Sequence, residues 1–276
     1  MSVIYRRILG KVGVGFLCIV LLSLACNSLD IPPLSTAVED NERGVDNEEQ
    51  GQMDSATAVE YNNRGVDYWE QDQLDSAIDE FDQAIAIDSQ YADAYSNRGN
   101  AYYRKGDLDR AIADYGQVIA LDPKYALAYS NRGTAYLEKG NYDQAFADFN
   151  QAIEIDPQHA ETYAVRGTAY LEKGDYDQAI ADYDKAIALD PQYALAYAGR
   201  GGAYIIVGDY DRAIADFNQV IEIDPQFAEA YYGRGNAYYR KGDYDQAISD
   251  LKIAVELGLE PGKQEETEGF LEEHGE

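Results

Sequence analysis

The chain repeats itself every 34 residues, six times in register: 58–91, 92–125, 126–159, 160–193, 194–227 and 228–261. Self-similarity at such a period points to stacked supersecondary units, each too small to bury its own apolar face, and not to one globular core. Position 8 of the unit is glycine in every copy (Gly65, Gly99, Gly133, Gly167, Gly201, Gly235). Position 20 is alanine in every copy (Ala77, Ala111, Ala145, Ala179, Ala213, Ala247). Positions 4 and 11 are always tyrosine, and position 24 is Phe or Tyr until the last copy, which has Leu251. Apolar or small residues at 4, 8, 11 and then 20, 24, 27 make two runs of helical spacing with a break near position 15. Small residues at 8 and 20 let the two helices approach closely, with the tyrosines filling the gaps above and below.

The punctuation agrees. Position 15 is glycine in five copies, Gly106 to Gly242, and position 16 is Asp or Asn in five, which reads as a helix stop followed by an N-cap. Asn141, Asp175 and Asp243 each have a glutamine three residues on, the pattern of a capping box. Asp-Pro closes repeats two to five (Asp122-Pro123, Asp156-Pro157, Asp190-Pro191, Asp224-Pro225), with the aspartate able to cap and the proline suited to the first turn of the next helix. The unit is a helix–turn–helix without strands.

A 34-residue period with aromatics at 4, 11 and 24, Gly at 8, Ala at 20 and Pro at 32 resembles the tetratricopeptide repeat (TPR) across residues 58–261. The resemblance implies an all-α fold, a right-handed α-solenoid of hairpins whose first helices line a concave groove. The last copy departs from the pattern, with Gly258-Leu259 in place of Asp-Pro, and Gln264–His274 then reads as a terminal capping helix within the tail 262–276.

In TPR proteins, positions 2, 5, 6, 9, 12 and 13 commonly face the groove, and by that rule the two halves of this array differ. The first three repeats place Asn63, Asn97 and Asn131 at position 6, with Asn62 and Asn100 nearby. A primary amide offers donors and an acceptor together, so such a row suits an extended peptide backbone. The alternative is a row of solvated helix residues copied with the repeat. Repeats four to six carry Val165, Gly199 and Gly233 instead, and their groove set includes Leu171, Ile205, Ile206, Tyr232 and Tyr239, an apolar run suited to a ligand helix or a second copy. Glu70, Glu138, Glu172 and Glu229 favour a basic or neutral-polar ligand. The basic clamp of cochaperone TPRs is missing, since positions 2, 5 and 6 hold no Lys or Arg.

Position 7 is arginine in all six copies (Arg64, Arg98, Arg132, Arg166, Arg200, Arg234) and position 23 is acidic in all six (Glu80, Asp114, Asp148, Asp182, Asp216, Asp250). One cation and one acid per hairpin reads as a structural ion pair that fixes register; the other reading is an arginine ladder for anionic ligands.

The chain starts differently. Arg6, Arg7 and Lys11 precede an apolar run from Val12 to Ala25, shorter than the ~20 residues of a spanning helix and suited to a secretory signal, residues 1–25. Leu22-Ser23-Leu24-Ala25-Cys26 resembles a bacterial lipobox, which implies lipidation of Cys26; cleavage after Ala25 and an uncleaved anchor are the alternatives. All three put the rest of the chain across the cytoplasmic membrane, periplasmic or on the outer-membrane side. Residues 26–57 read as an acidic tether, inside which 37–56 matches 58–77 at 14 of 20 positions but has lost Tyr61, Tyr68 and Trp69 to Asp40, Asn47 and Glu48. That makes it a degenerate half-repeat.

Composition removes other classes. With 51 acids against 22 Lys+Arg, a net charge of −29, the surface repels nucleic acid. Two cysteines make no disulfide framework, and two histidines supply neither a zinc site nor a nucleophile–base pair. His159 stands where other copies carry an aromatic, and the Asp-x-Asp pairs lack the glycine and terminal glutamate of a calcium loop. The expectation is a non-catalytic, membrane-anchored scaffold or adaptor without a cofactor, binding a partner protein or extended peptide. A self-assembling homo-oligomer and an accessory subunit of an envelope enzyme complex are the alternatives.

Overall fold

Glycine at position 15 and aspartate at position 31 set the element boundaries in a computed structural model that describes residues 48–274, with side chains from 56 to 272. The signal segment, Cys26 and residues 37–47 of the half-repeat lie outside the described residues. The chain divides into two units after Pro157. The first contains α1 (Glu48–Glu70), α2 (Leu74–Ile87), α3 (Ala92–Arg104), α4 (Leu108–Leu121), α5 (Ala126–Glu138) and α6 (Tyr142–Ile155). The second contains α7 (Ala160–Lys173), α8 (Tyr176–Leu189), α9 (Ala194–Val207), α10 (Tyr210–Ile223), α11 (Ala228–Lys241), α12 (Tyr244–Leu257) and α13 (Pro261–His274). Among the described residues there is no strand. Within each unit the helices pair as hairpins, and each hairpin packs on the next in sequence, so each unit is a length of α-solenoid.

Each first helix stops at position 15. Gly106, Gly140, Gly174, Gly208 and Gly242 have φ between +73° and +97°, the left-handed region that favours glycine. The turn returns the position-16 N–H to the carbonyl of the tyrosine at position 11, as from Asp107 to Tyr102 at 2.9 Å and from Asp243 to Tyr238 at 2.9 Å. In the first repeat Asp72 holds the position-15 place with φ +60°, where an L side chain crowds its own backbone.

The caps of the second helices differ from the sequence expectation. Asp107 and Asp209 accept the N–H of Arg110 and Arg212 at 3.2 Å, whereas Asn141, Asp175 and Asp243 make no side-chain cap bond. All five have ψ near +70°, short of the extended backbone that aims a cap side chain at the third N–H. Asp107 and Asp209 are drawn there by a second bond from the arginine Nε, at 2.6 and 2.5 Å. Pro123, Pro157, Pro191 and Pro225 lie before the helices, not in their first turns. Asp122, Asp190 and Asp224 instead accept the N–H two residues on at 2.9 Å, and the Tyr125 N–H returns to the Asp122 carbonyl at 3.1 Å. That is a β-turn with Asp at its first position and Pro at its second. α1 also begins ten residues before the first repeat, because no proline or turn residue interrupts Ser55-Ala56-Thr57.

Inside each hairpin the ring at position 24, or Leu251 in the last, packs against the position-8 glycine. A Cβ on Gly65 would overlap the Phe81 ring, one on Gly99 would meet Tyr115 at 2.9 Å, and one on Gly133 would meet Phe149 at 2.8 Å. These rings are fully buried, as are the alanines at position 20. The tyrosines at 4 and 11 are mostly half-buried and flank the helix interface instead of filling its centre. Two substitutions follow from this geometry. Gly133→Ala should lower unfolding free energy by about 1–3 kcal/mol, because the fully buried Phe149 has no room to yield. Asp72→Gly should raise it by roughly 0.5–1 kcal/mol, both read from urea midpoints at unchanged slope.

Candidate partner-binding surface

The ring at position 24 is also touched from the other side. A Cβ on Gly199 would stand 2.5 Å from Tyr183 of the preceding hairpin, and one on Gly233 would stand 2.5 Å from Phe217. Position 6 therefore packs into the hairpin before it. Position 5 faces the hairpin after it: Asn97 Nδ2 donates to Asn62 Oδ1 at 3.0 Å, linking α3 to α1. These two positions form the seam between successive first helices. Asn62 and Asn97 are 0% and 2% exposed, and Asn131 is buried at the equivalent place on α5. Asn100 is buried too, its Oδ1 accepting from the Tyr115 hydroxyl at 2.9 Å. Thr168 and Tyr183 make the same contact at 2.9 Å in the second unit.

Of the amides singled out in the sequence, only Asn63 is exposed, because no described helix precedes α1. The other four are closed off by stacking. A peptide-binding ladder at those positions would have to open the seam.

The position-7 arginines join the two helices of their own hairpin. In repeats two to six the guanidinium donates through Nε and Nη2 to both oxygens of the position-23 aspartate, for Arg98–Asp114 at 2.9 and 2.7 Å and for Arg132–Asp148 at 2.8 Å each. Arg166–Asp182, Arg200–Asp216 and Arg234–Asp250 repeat the fork at 2.7–2.9 Å. The remaining nitrogen reaches back one hairpin. Arg98 Nη1 donates to Asp82 at 2.5 Å, Arg200 to Asp184 at 2.5 Å and Arg234 to Asn218 at 2.6 Å. Each of these acceptors is sixteen residues before its arginine, just as each position-23 aspartate is sixteen after.

Tyrosine rings flank the cations, as where Arg200 lies 5.6 Å from the Tyr197 centroid and 5.9 Å from Tyr204. The hydrogen bond to Asp216 holds the Arg200 pKa above its ordinary value, against the burial that would lower it, and Asp184 adds to the rise. The first repeat is looser: Arg64 puts Nε and Nη2 on one oxygen of Glu80 and is 45% exposed. The acceptor at position 25 had no signal within a single copy. The column Asp82, Gly116, Asn150, Asp184, Asn218, set sixteen residues ahead of the arginines, carries that signal.

With positions 5 and 6 sealed, positions 2 and 13 remain, eleven residues and three turns apart on one side of the first helix. In the first unit they hold Val59, Asp93 and Leu127, all half-buried, with Glu70, Arg104 and Glu138 exposed. Arg104 is held by Asp72 at 2.9 Å and stacks 4.9 Å over Trp69, and Glu138 accepts from Tyr103. In the second unit the same positions hold Glu161, Leu195 and Glu229, then Glu172, Ile206 and Arg240. Burial pushes the carboxyls of Asp93 and Glu161 up, and His159, 3.9 Å from Glu161, offsets part of the latter shift.

The apolar set of the second unit has its own occupants. Leu171, Ile205 and Tyr232 are buried, and Ile206 and Tyr239 are half-buried. Ile205 belongs to the core around Phe217. Tyr232 packs with Leu251 and Leu259 beneath Phe270 and Leu271 of α13, and the Tyr239 and Phe270 rings meet edge to face at 5.5 Å. The tail helix covers the Tyr232 and Tyr239 end of that set. Among the described residues no group of three His, Cys, Asp or Glu is placed to hold a metal ion, and no helix is long and apolar enough to cross a membrane.

A stack of helical hairpins, each packed on the next, defines a class of repeat proteins. Models described as TPR repeat match residues 65–106, 99–140 and 201–242, and models described as tetratricopeptide repeat match 124–192 and 228–257. Together they cover more than half of the chain, which belongs to the tetratricopeptide repeat family. Among solved structures it is similar to MamA, at 33% identity over 58% of this chain and 93% of that one, with a TM-score of 0.52. It is also similar to YrrB, described as a TPR protein with an unusual peptide-binding site, at 27% identity over 64% and 92%, with a TM-score of 0.51. PilF of Pseudomonas aeruginosa shares the fold at 18% identity over 80% and 99%, with a TM-score of 0.68. A search of curated proteins found no match.

If the forks act as pairs, Arg132→Ala and Asp148→Ala should show a coupling free energy of about 1–3 kcal/mol in a double-mutant cycle, and additive losses would contradict the pairing. The carboxyls also predict a pH effect. Asp93, Glu161 and Glu266 have folded-state pKa values raised by burial, so the folded chain keeps their protons to higher pH than the unfolded chain does. Their ionisation destabilises the fold as pH rises through that window, and acidification relieves it. Asp107 is lowered by the N–H and then the guanidinium of Arg110, and Asp209 by the guanidinium and then the N–H of Arg212; both keep their contributions until pH falls below the ordinary carboxylate range. The urea midpoint should therefore rise between pH 7 and about pH 5.

Proposed function

We propose that this chain is a non-catalytic TPR scaffold of the bacterial cell envelope. In this reading it is carried across the cytoplasmic membrane by residues 1–25, is held by a lipid on Cys26, and binds an extended segment of a partner protein along its first-helix face. The observation that supports the reading is the exposed acids at position 13 of the first unit, Glu70 and Glu138, on either side of Arg104, whose charge Asp72 holds. Such an edge favours a basic or neutral-polar segment, with charge acting first on the encounter rate. The similarity to YrrB supports peptide binding as a use of this architecture. The contacts fall on positions 2 and 13 together with Asn63, and the sealed amides act from behind by holding the first helices in register.

The test is capture of partners from native membranes by wild type and by Glu70→Lys/Glu138→Lys. Both side chains are exposed, so the variant should keep its circular dichroism. The expected result is loss of a basic partner by about tenfold or more, equivalent to ~1.4 kcal/mol. The same partners at the same yield from both proteins would refute the acidic edge. Separately, Cys26→Ala should move the protein from the membrane fraction to the soluble one, and unchanged membrane retention would remove the lipid from the reading.

A further inference from the structure

The turns within the hairpins carry a second row of ion pairs, separate from the arginine forks. Position 18 is aspartate in all six repeats, and position 14 is lysine in repeats two, three, four and six. Such a lysine reaches the position-18 aspartate of the hairpin before it. Lys105 pairs with Asp75 and Lys139 with Asp109, and Lys241 Nζ lies 2.8 Å from Asp211. Pairs this exposed contribute little to stability, but they mark a place beside the aspartate where a cation fits.

The fifth repeat supplies no such cation. It carries Val207 at position 14, and Asp177, the position-18 aspartate of the hairpin before it, is exposed with neither an ion pair nor a hydrogen bond. Val207 is 47% exposed, more than Ile87 at 37% or Leu121 at 38%. A lysine there would lay its aliphatic stem on the surface and carry its charge outward, whereas valine presents apolar area alone. Half-buried Ile206 precedes it. Beside Val207 opens a cleft of about 330 Å³, lined also by Tyr210 and Lys241. The acids of that cleft have their cations already, Asp209 in Arg212 and Asp211 in Lys241. Asp177 does not.

We propose that the turn of the fifth hairpin anchors a partner protein through a segment in which a lysine stands beside an aliphatic residue. The aliphatic side chain covers Val207 and enters the cleft, and the ammonium takes the place at Asp177 that lysine takes in the other rungs. One ligand thereby meets an uncovered apolar side chain and an uncompensated carboxylate together. The net charge of −29 draws such a segment in and turns an acidic one away. This anchor lies in the second unit and does not depend on what Glu70 and Glu138 bind.

The test is a chemical-shift titration of the purified, nitrogen-15-labelled protein with a blocked tetrapeptide of glycine, leucine, lysine and glycine. A matched peptide with glutamate in place of lysine is the control. In wild type the lysine peptide should shift the amides of Asp177, Val207 and Gly208, and the glutamate peptide should not. Val207→Lys supplies the missing rung with the residue four other repeats carry, so it should fold normally and weaken binding at least about tenfold. Asp177→Asn should weaken it about threefold, the scale of one exposed ion pair. Glu70→Lys/Glu138→Lys should leave these shifts unchanged, which separates this anchor from the acids of the first unit. The proposal is overturned if the lysine peptide leaves that turn unshifted, if both peptides bind alike, or if Val207→Lys binds as wild type does. It is equally overturned if the same amides shift with protein concentration alone, because the occupant is then a second copy.

Discussion

The aromatic ring at position 24 is the contact on which both levels of the architecture rest. On one side it lies against the glycine of its own hairpin, and on the other against position 6 of the next. Gly167 and Gly199 flank Tyr183 in this way, and Gly201 and Gly233 flank Phe217, with distances from an added Cβ of 3.2 and 2.5 Å, then 3.1 and 2.5 Å. A ring held from two sides commits the spacing within a hairpin and the spacing between hairpins at once. Close packing of this kind leaves little tolerance for added volume, so the small residues around it are set by steric need more than by helix propensity. Where the next hairpin brings an asparagine instead of glycine, as Asn97 does, the amide turns along the seam to Asn62 and the first helices still seal.

The arginine forks add direction to this packing. Apolar faces tolerate small slips, whereas a planar guanidinium between two fixed carboxylates does not. Charges this buried lose hydration that their partners roughly return, so their net effect on stability is modest and their effect on register is larger. The second acceptor varies, with Asp82 and Asp184 charged, Asn218 neutral, and Gly116 offering no side-chain acceptor to Arg132. Joints between hairpins therefore differ in electrostatic grip although the apolar contacts beneath them are alike.

Much of this was legible in the sequence. The 34-residue period, the paired helical runs and the glycine at position 15 depend on local backbone rules, and they gave the hairpins and their turns. The arginine and the acid at position 23 were legible because both columns are invariant within the chain. The groove was not legible in the same way. A residue repeated in every copy is repeated whether it packs a seam or lines a surface, and helical spacing cannot separate the two. Asn62, Asn97 and Asn131 are hidden by neighbouring hairpins, a fact of stacking that lies outside any one repeat. The covering of Tyr232 and Tyr239 by α13 has the same origin, since Phe270 and Leu271 come from a segment with none of the repeat's tyrosines. The capping boxes failed for a smaller reason, a ψ near +70° that no side-chain identity announces.

The central claim is that the row of amides is seam and the row of acids is surface. Both cysteines lie within the first 26 residues, so single thiols can be placed elsewhere with little background. The direct measurement is the labelling rate of Asn97→Cys and Glu138→Cys by a small maleimide in the folded protein. The cysteine at 138 should react about as fast as an exposed thiol in a peptide, and the cysteine at 97 should react only as the array opens, slower by several orders of magnitude. Equal rates at the two positions would contradict the seam and return the amides to the binding surface.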